Sequence, residues 1–363
     1  MGNKKITLTP TEFILTLVTG MVGVGILYIP NGLIKYANQD AWVACIFGAA
    51  YPFYIVFIAK YLSSKAPNDN ILVLSKKLFG RFFGNILNII FVSFFLFILS
   101  SEVAGFSNAF KTYVTSFLKD YQIIVVSCLA AAYAVANGIK PLARLNVVVF
   151  FITAELMFLP SGALINGSIL NIMPVFRSGI VRILQASRET TFFYTGIETI
   201  LLIYPLLNKK DKIFKYGTIG VSFVMVLYVW TVFLTIYYLG IDISPKYLWP
   251  ILALTDAINI PIINSFRYIF LSLWALIIIK CIAMFYYSTV YGITQVVTKF
   301  QIKPVTIFLY PIIVYLSLSF GNALERSEIS GKITPIYVVY ILIYVTVIAL
   351  VLKLKRGDVN EEK

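Results

Sequence analysis

Gly20-Met21-Val22-Gly23-Val24-Gly25-Ile26-Leu27-Tyr28-Ile29-Pro30 lies within an apolar run extending from about residue 10 to residue 35. Gly20, Gly23 and Gly25 each weaken a helix by about 1 kcal/mol relative to alanine. Inside a membrane helix such a stretch permits close helix contact, or it unwinds and offers backbone groups to a ligand. It is not a dinucleotide fingerprint, because no strand precedes it and the surroundings are apolar.

A second interruption of the same kind occurs at Phe193-Tyr194-Thr195-Gly196-Ile197-Glu198-Thr199, followed by Pro205. Each interrupted segment opens one five-helix half of the chain. Glycine-broken segments at corresponding positions of two halves are the best sequence pointer to a binding site near the bilayer midplane.

Composition places the whole chain in lipid. Hydrophobic residues make up 60% of the 363, charged residues 13%, and mean hydropathy is +0.87. Soluble domains carry about twice that share of charge. Aromatic residues, at 16%, suit interface belts and bulky helix packing. The net charge of +14 resides in short connections between apolar runs, which is a topology signal and not a nucleic-acid footprint. Histidine is absent, so triads, zinc sites of the HExxH type and histidine proton relays are excluded. Cys45, Cys128 and Cys281 are isolated in apolar runs, with neither disulfide nor metal spacing. No metal or cofactor is expected. The N-terminus runs into an apolar stretch without a small-residue cleavage site, so no removable signal peptide is read there.

Since a span needs about 20 apolar residues, membrane helices are expected at 10–35, 40–62, 84–111, 121–139, 142–163, 190–207, 215–239, 266–297, 304–320 and 334–354. The fold class is therefore an all-α membrane protein of ten transmembrane helices. Repeat one covers about 10–163 and repeat two about 190–354, with helices 1 and 6 broken. Segments 70–81 and 177–189 read as amphipathic surface helices, and a further one is expected near 248–259. Lysines and arginines in the connections on the side of the termini outnumber those on the other side by roughly two to one, which puts both termini in the cytoplasm. Arg326 falls in the opposite set.

Charges within spans are functional candidates by default, since each costs about 2.5–3.5 kcal/mol at the bilayer centre. These are Glu102, Glu155, Glu198 and Lys280. Lys280 has only Ile277, Ile278, Ile279, Cys281 and Ile282 around it in sequence. It is expected to pair with Glu102 or Glu198 as a clamp, or to act as a proton- or ligand-coupled switch. Glu198 follows the Gly196 break, where it either accepts a ligand ammonium or bonds amides freed in the half-helix. Glu12 and Glu189 lie near span ends and read as snorkelling to water. Ser288-Thr289 is a faint sodium signal, since adjacent hydroxyls in a membrane helix more often bond back to their own turn.

The order of spans, Gly-x-Gly-Ile-Leu-x-x-Pro at 23–30, and Gly196-x-Glu198 followed by Pro205 resemble the amino acid–polyamine–organocation transporters with the LeuT-type five-plus-five inverted repeat. More closely, the chain resembles the permease-like B subunit of spore germinant receptors. Pro67-x-x-x-Ile71 through Lys77-x-Phe79-Gly80 and the chain length also carry that resemblance, which covers nearly the whole chain. It implies a multi-pass protein of the bacterial inner spore membrane, beside a larger receptor subunit and a lipoprotein subunit. It also implies a small nutrient ligand, an amino acid for example, that triggers germination.

In that reading the ligand sits among Gly23, Val24, Gly25, Ile26, Glu102, Thr195, Gly196, Ile197 and Glu198. Amides at 23–26 take a carboxylate, and Glu198 or nearby carbonyls take an amine. Lys280 and Glu155 are the buried or coupling charges. A proton-coupled amino acid symporter and an ion or water channel of the same fold remain open alternatives, as does an unrelated scramblase or insertase fold. An enzyme is disfavoured, because no nucleophile–base constellation is present and Asp242 and Asp256 lie in a loop.

Overall fold

The computed structural model describes residues 7–256 and 266–361. Lys4, Lys5, Lys363 and the end of the segment expected near 248–259 fall outside these residues. Among the described residues the regular structure is helical, and one isolated parallel bridge joins Leu8 to Leu207.

The first expected span is two helices with a gap. Helix α1 (Pro10–Met21) is followed by a 3-10 turn at Val24–Leu27 and then by α2 (Ile29–Ala37). Thr9 and Glu12 start α1 with a reciprocal capping box, in which the Thr9 amide donates to Glu12 Oε2 at 2.8 Å. Pro30, in the first turn of α2, sits where its missing amide costs nothing. Glu12 is 7% exposed and pairs with Lys140 at 2.6 Å, so it is anchored by protein and does not snorkel.

The chain continues through α3 (Ala41–Gly48), α4 (Ala50–Lys65), α5 (Ile71–Tyr113), α6 (Asp120–Ala136) and α7 (Ile139–Phe158). The surface segment expected at 70–81 is the first part of α5, bent from the span at Gly80, whose φ of +78° suits glycine.

A larger correction concerns 177–207. Helix α8 (Gly179–Phe193) runs straight through the segment expected on the surface and packs on α2 and α3. It is the first arm of the second broken helix. The other arm is short: a 3-10 turn at Ile197–Thr199, α9 (Ile200–Ile203) and a further 3-10 turn carrying Pro205. The second interrupted element therefore begins at Gly179, before the expected boundary of 190.

Helices α10 (Ile213–Ile243), α11 (Pro250–Asp256), α12 (Phe266–Val296), α13 (Ile302–Leu318) and α14 (Ala323–Glu361) complete the chain. Helix α14 starts well before residue 334, which takes Arg326 out of a loop. Among the described residues six helical stretches are long and apolar enough to cross a membrane, and Asp120–Ala136, Ile197–Leu206 and Ile302–Leu318 are shorter apolar helices. Exposed side chains such as Phe82, Val126, Phe151, Phe308 and Ile343 form the outer wall, as lipid-facing surfaces require. Helix α12 packs against α5, α6, α7 and α1, and α10 packs against α1, α3 and α4, so α1 lies at the centre, while α8 is largely exposed beside α2 and α3.

Candidate ligand-binding site

The two breaks meet backbone to backbone. A Cβ on Gly20 would stand 3.0 Å from the Gly196 carbonyl oxygen, and one on Gly196 would overlap the Gly20 carbonyl. Gly196 also has a φ of +108°, a conformation that side chains oppose. Two glycines are thus needed for two helices to be interrupted at one crossing.

Unwinding frees backbone groups, and named side chains take them up. The Val24 amide donates to Glu102 Oε2 at 2.7 Å, and the Gly196 amide donates to Glu198 Oε2 at 2.6 Å. The Tyr228 hydroxyl reaches two freed carbonyls, Met21 at 2.6 Å and Phe193 at 2.9 Å. Tyr194 donates to the Cys45 carbonyl at 2.8 Å. Tyr51 donates to Glu198 Oε1. Both Glu198 oxygens are therefore engaged within the protein, and its side chain is fully buried. It bonds across the second break, and in this structure none of its surface is exposed.

Of the expected ligand residues, Gly23, Gly25, Glu102 and Thr195 line one small cavity of about 10 Å³, together with Gly20, Met21, Phe192, Phe193 and Phe285. A cavity needs about 10–15 Å³ of this measure to admit one water molecule, so the space at the crossing holds one water at most. Val24 contributes its amide to Glu102. Ile26 turns to a separate apolar cavity with Val22, Leu27 and Trp274. Gly196 and Ile197 shape the crossing and do not line the cavity.

Lys280 is 2% exposed, as its surroundings in sequence imply. Neither expected clamp forms: Glu102 and Glu198 are bonded as above, and among the described residues no carboxylate lies within 4 Å of the Lys280 ammonium. The ammonium instead stands 5.7 Å from the Phe150 ring centroid on α7. Glu155 corrects another expectation. It is exposed on the outer face of α7, beside Phe151 and Ile152, and is not a buried charge. Ser288 and Thr289 both donate to carbonyls one turn back, Met284 and Phe285, at 2.9 Å.

Sequence reasoning missed Tyr28, Tyr51, Tyr228 and Arg326. Each tyrosine sits in an apolar run with no periodic polar neighbour to mark it. Arg326, within Glu325-Arg326-Ser327-Glu328, has the appearance of a connecting loop. It is in fact 2% exposed, 5.4 Å from the centroid of the Tyr28 ring, with Nη1 3.3 Å from Ser101 Oγ.

The sequence profile of the spore germination protein family matches residues 7–325. Spore germination protein YndE of Bacillus subtilis is 24% identical over 317 residues, covering 85% of this chain and 86% of its own. Spore germination protein GerQB of Bacillus cereus is 22% identical over 356 residues, covering 96% and 97%. Among solved structures, MhsT in complex with L-phenylalanine superposes with a TM-score of 0.70 at 12% identity, over 96% of this chain and 89% of that one. Mhp1, a nucleobase-cation-symport-1 family transporter in a closed conformation, gives 0.60 at 15% identity, over 88% and 74%. Likeness at this identity establishes the fold, an all-α membrane transporter fold of LeuT type. An integral membrane protein with two broken helices crossing at its centre, matched along most of its length by this profile, belongs to the spore germination protein family, whose members are permease-like proteins and not enzymes.

Proposed function

We propose that this chain is the membrane subunit of a spore germinant receptor, binding a small nutrient, an amino acid, at the crossing of its two broken helices. The observation that carries this reading is the contact of Gly20 with Gly196 beside a cavity walled by Gly23, Gly25, Glu102 and Thr195. Freed amides of a broken helix favour an anionic group. The fold is a transporter fold, and the relatives are germination proteins.

In this reading the chain crosses the membrane ten times in two inverted five-helix repeats, with both termini cytoplasmic in the inner spore membrane. A larger membrane subunit and a lipoprotein subunit accompany it. Because the cavity at the crossing is this small, ligand binding requires Phe192 and Phe193 to give way. A ligand preferring the opened state shifts the population toward it, and that shift is the signal.

Lys280 supports a second reading, a proton-coupled amino acid symporter. A buried ammonium on α12 that faces α7, without a carboxylate partner among the described residues, is a group able to release and regain a proton as its surroundings change. Uptake of a labelled amino-acid mixture into proteoliposomes, with and without an inward proton gradient, separates the two. Stabilisation by amino acids without uptake supports the receptor, whereas gradient-driven accumulation overturns it in favour of the symporter. Gly25→Val drives a side chain at Phe193, whose Cδ1 already lies 2.9 Å from the Cβ position, and is expected to abolish the ligand response in a protein that still expresses.

A further inference from the structure

A larger cavity lies on the far side of Phe192 and Phe193, which wall both it and the small midplane cavity. Its volume of about 300 Å³ is at the lower end of the range for small-molecule sites. Tyr28 and Trp249 give it further aromatic walls, and two opposite charges face into it, Arg326 and Glu189.

Arg326 is the unusual member. Its side chain is almost wholly buried, yet its Nε has no hydrogen-bond partner, and among the described residues no carboxylate lies within 4 Å of it. Its neighbours include the Tyr28 ring and hydroxyl and the Ser101 hydroxyl, with the Glu102 carboxylate farther off but within electrostatic reach. The guanidinium packs directly on Gly105, where a Cβ would lie 2.9 Å from its carbon. A buried guanidinium left short of acceptors is costly unless an anion completes it. Its planar fork matches a carboxylate.

We propose that this cavity is a second ligand site, taking a free α-amino acid with its carboxylate on Arg326 and its ammonium toward Glu189. The aromatic walls hold the side chain. Glu102 lies within electrostatic reach of Arg326, so occupancy here is felt at the midplane site through Arg326 and through the shared Phe192–Phe193 wall. The proposal deepens the amino-acid receptor reading and rests on it for the class of ligand.

The test uses the full chain in lipid nanodiscs, with thermal stabilisation titrated against L-alanine, L-leucine and L-phenylalanine and their amino alcohols, which lack the carboxylate. For at least one pair the acid should bind at least tenfold more tightly than the alcohol. Arg326→Gln should weaken that acid by roughly ten- to a hundredfold and erase its preference over the alcohol. Glu189→Gln, at an exposed position, should reduce the preference of the acid over its N-acetyl derivative. Carboxylate preference intact in a folded Arg326→Gln protein, or absent from the wild type for all three pairs, overturns the proposal. Should Arg326→Gln not fold, unchanged affinities in both Arg326→Lys and Glu189→Gln overturn it equally. Thr195→Leu, at a residue that lines the cavity at the crossing and not this one, separates the two readings. Binding lost there but kept in Arg326→Gln sinks this site and leaves the midplane one, and the reverse pattern supports this site against the midplane one.

Discussion

Alanine at position 196 is the sharpest perturbation of the crossing. The residue has a φ of +108°, and holding a non-glycine residue in such a conformation costs about 1–3 kcal/mol. The new Cβ would also overlap the Gly20 carbonyl, a backbone atom that cannot rotate away. Overpacking of that kind costs about 1–3 kcal/mol more, for a total of about 2–6 kcal/mol. Two controls divide the sum. Gly80 has a φ of +78° with nothing within 4 Å of its Cβ position, so Gly80→Ala isolates the backbone cost. Gly20→Ala isolates the contact: its Cβ would stand 3.0 Å from the Gly196 carbonyl oxygen, and a helix-propensity gain of about 1 kcal/mol offsets part of that strain. Thermal unfolding midpoints in detergent, followed by fluorescence-detected size exclusion, should fall in the order Gly20→Ala least, Gly80→Ala intermediate, Gly196→Ala most. A Gly196→Ala protein no less stable than Gly80→Ala would refute the close crossing of the two broken helices.

Three further outcomes follow from the same packing. Tyr51→Phe removes the hydroxyl that meets Glu198 Oε1 in a fully buried setting, and should cost about 1–3 kcal/mol by unfolding midpoint; no loss would mean that Glu198 does not depend on it. Tyr228→Phe strips the hydroxyl from the Met21 and Phe193 carbonyls and should destabilise by a similar amount, about 1–3 kcal/mol, with faster amide exchange around both breaks. Lys280→Met breaks no ion pair among the described residues, so its unfolding midpoint should match or exceed that of the wild type. A fall of several degrees would reveal a partner that the α7–α12 packing does not provide.

The apolar runs by themselves determined that this is a helical membrane protein, because hydrocarbon admits only helices or closed barrels and six of the described helical stretches are long enough to span it. The two interruptions were marked for a local reason: the glycines of 20–25 and 196 each weaken a helix, although the same residues also suit close helix packing. That they share one site was expected from the paired breaks; the backbone contact of Gly20 with Gly196 was not legible, since it depends on how helices far apart in sequence pack. Nor could the sequence say which way each charge faces. A membrane helix is apolar on almost every side, so little periodicity remains to report its rotation about its own axis. Only packing turned Glu198 to Tyr51, Glu102 to the Val24 amide and Glu155 outward. The same packing extended α14 back to Ala323 and brought Arg326 into the interior against Gly105. In water a charged run between apolar segments marks a loop; here neighbouring helices, unseen in the local sequence, supplied a buried seat for one of those charges.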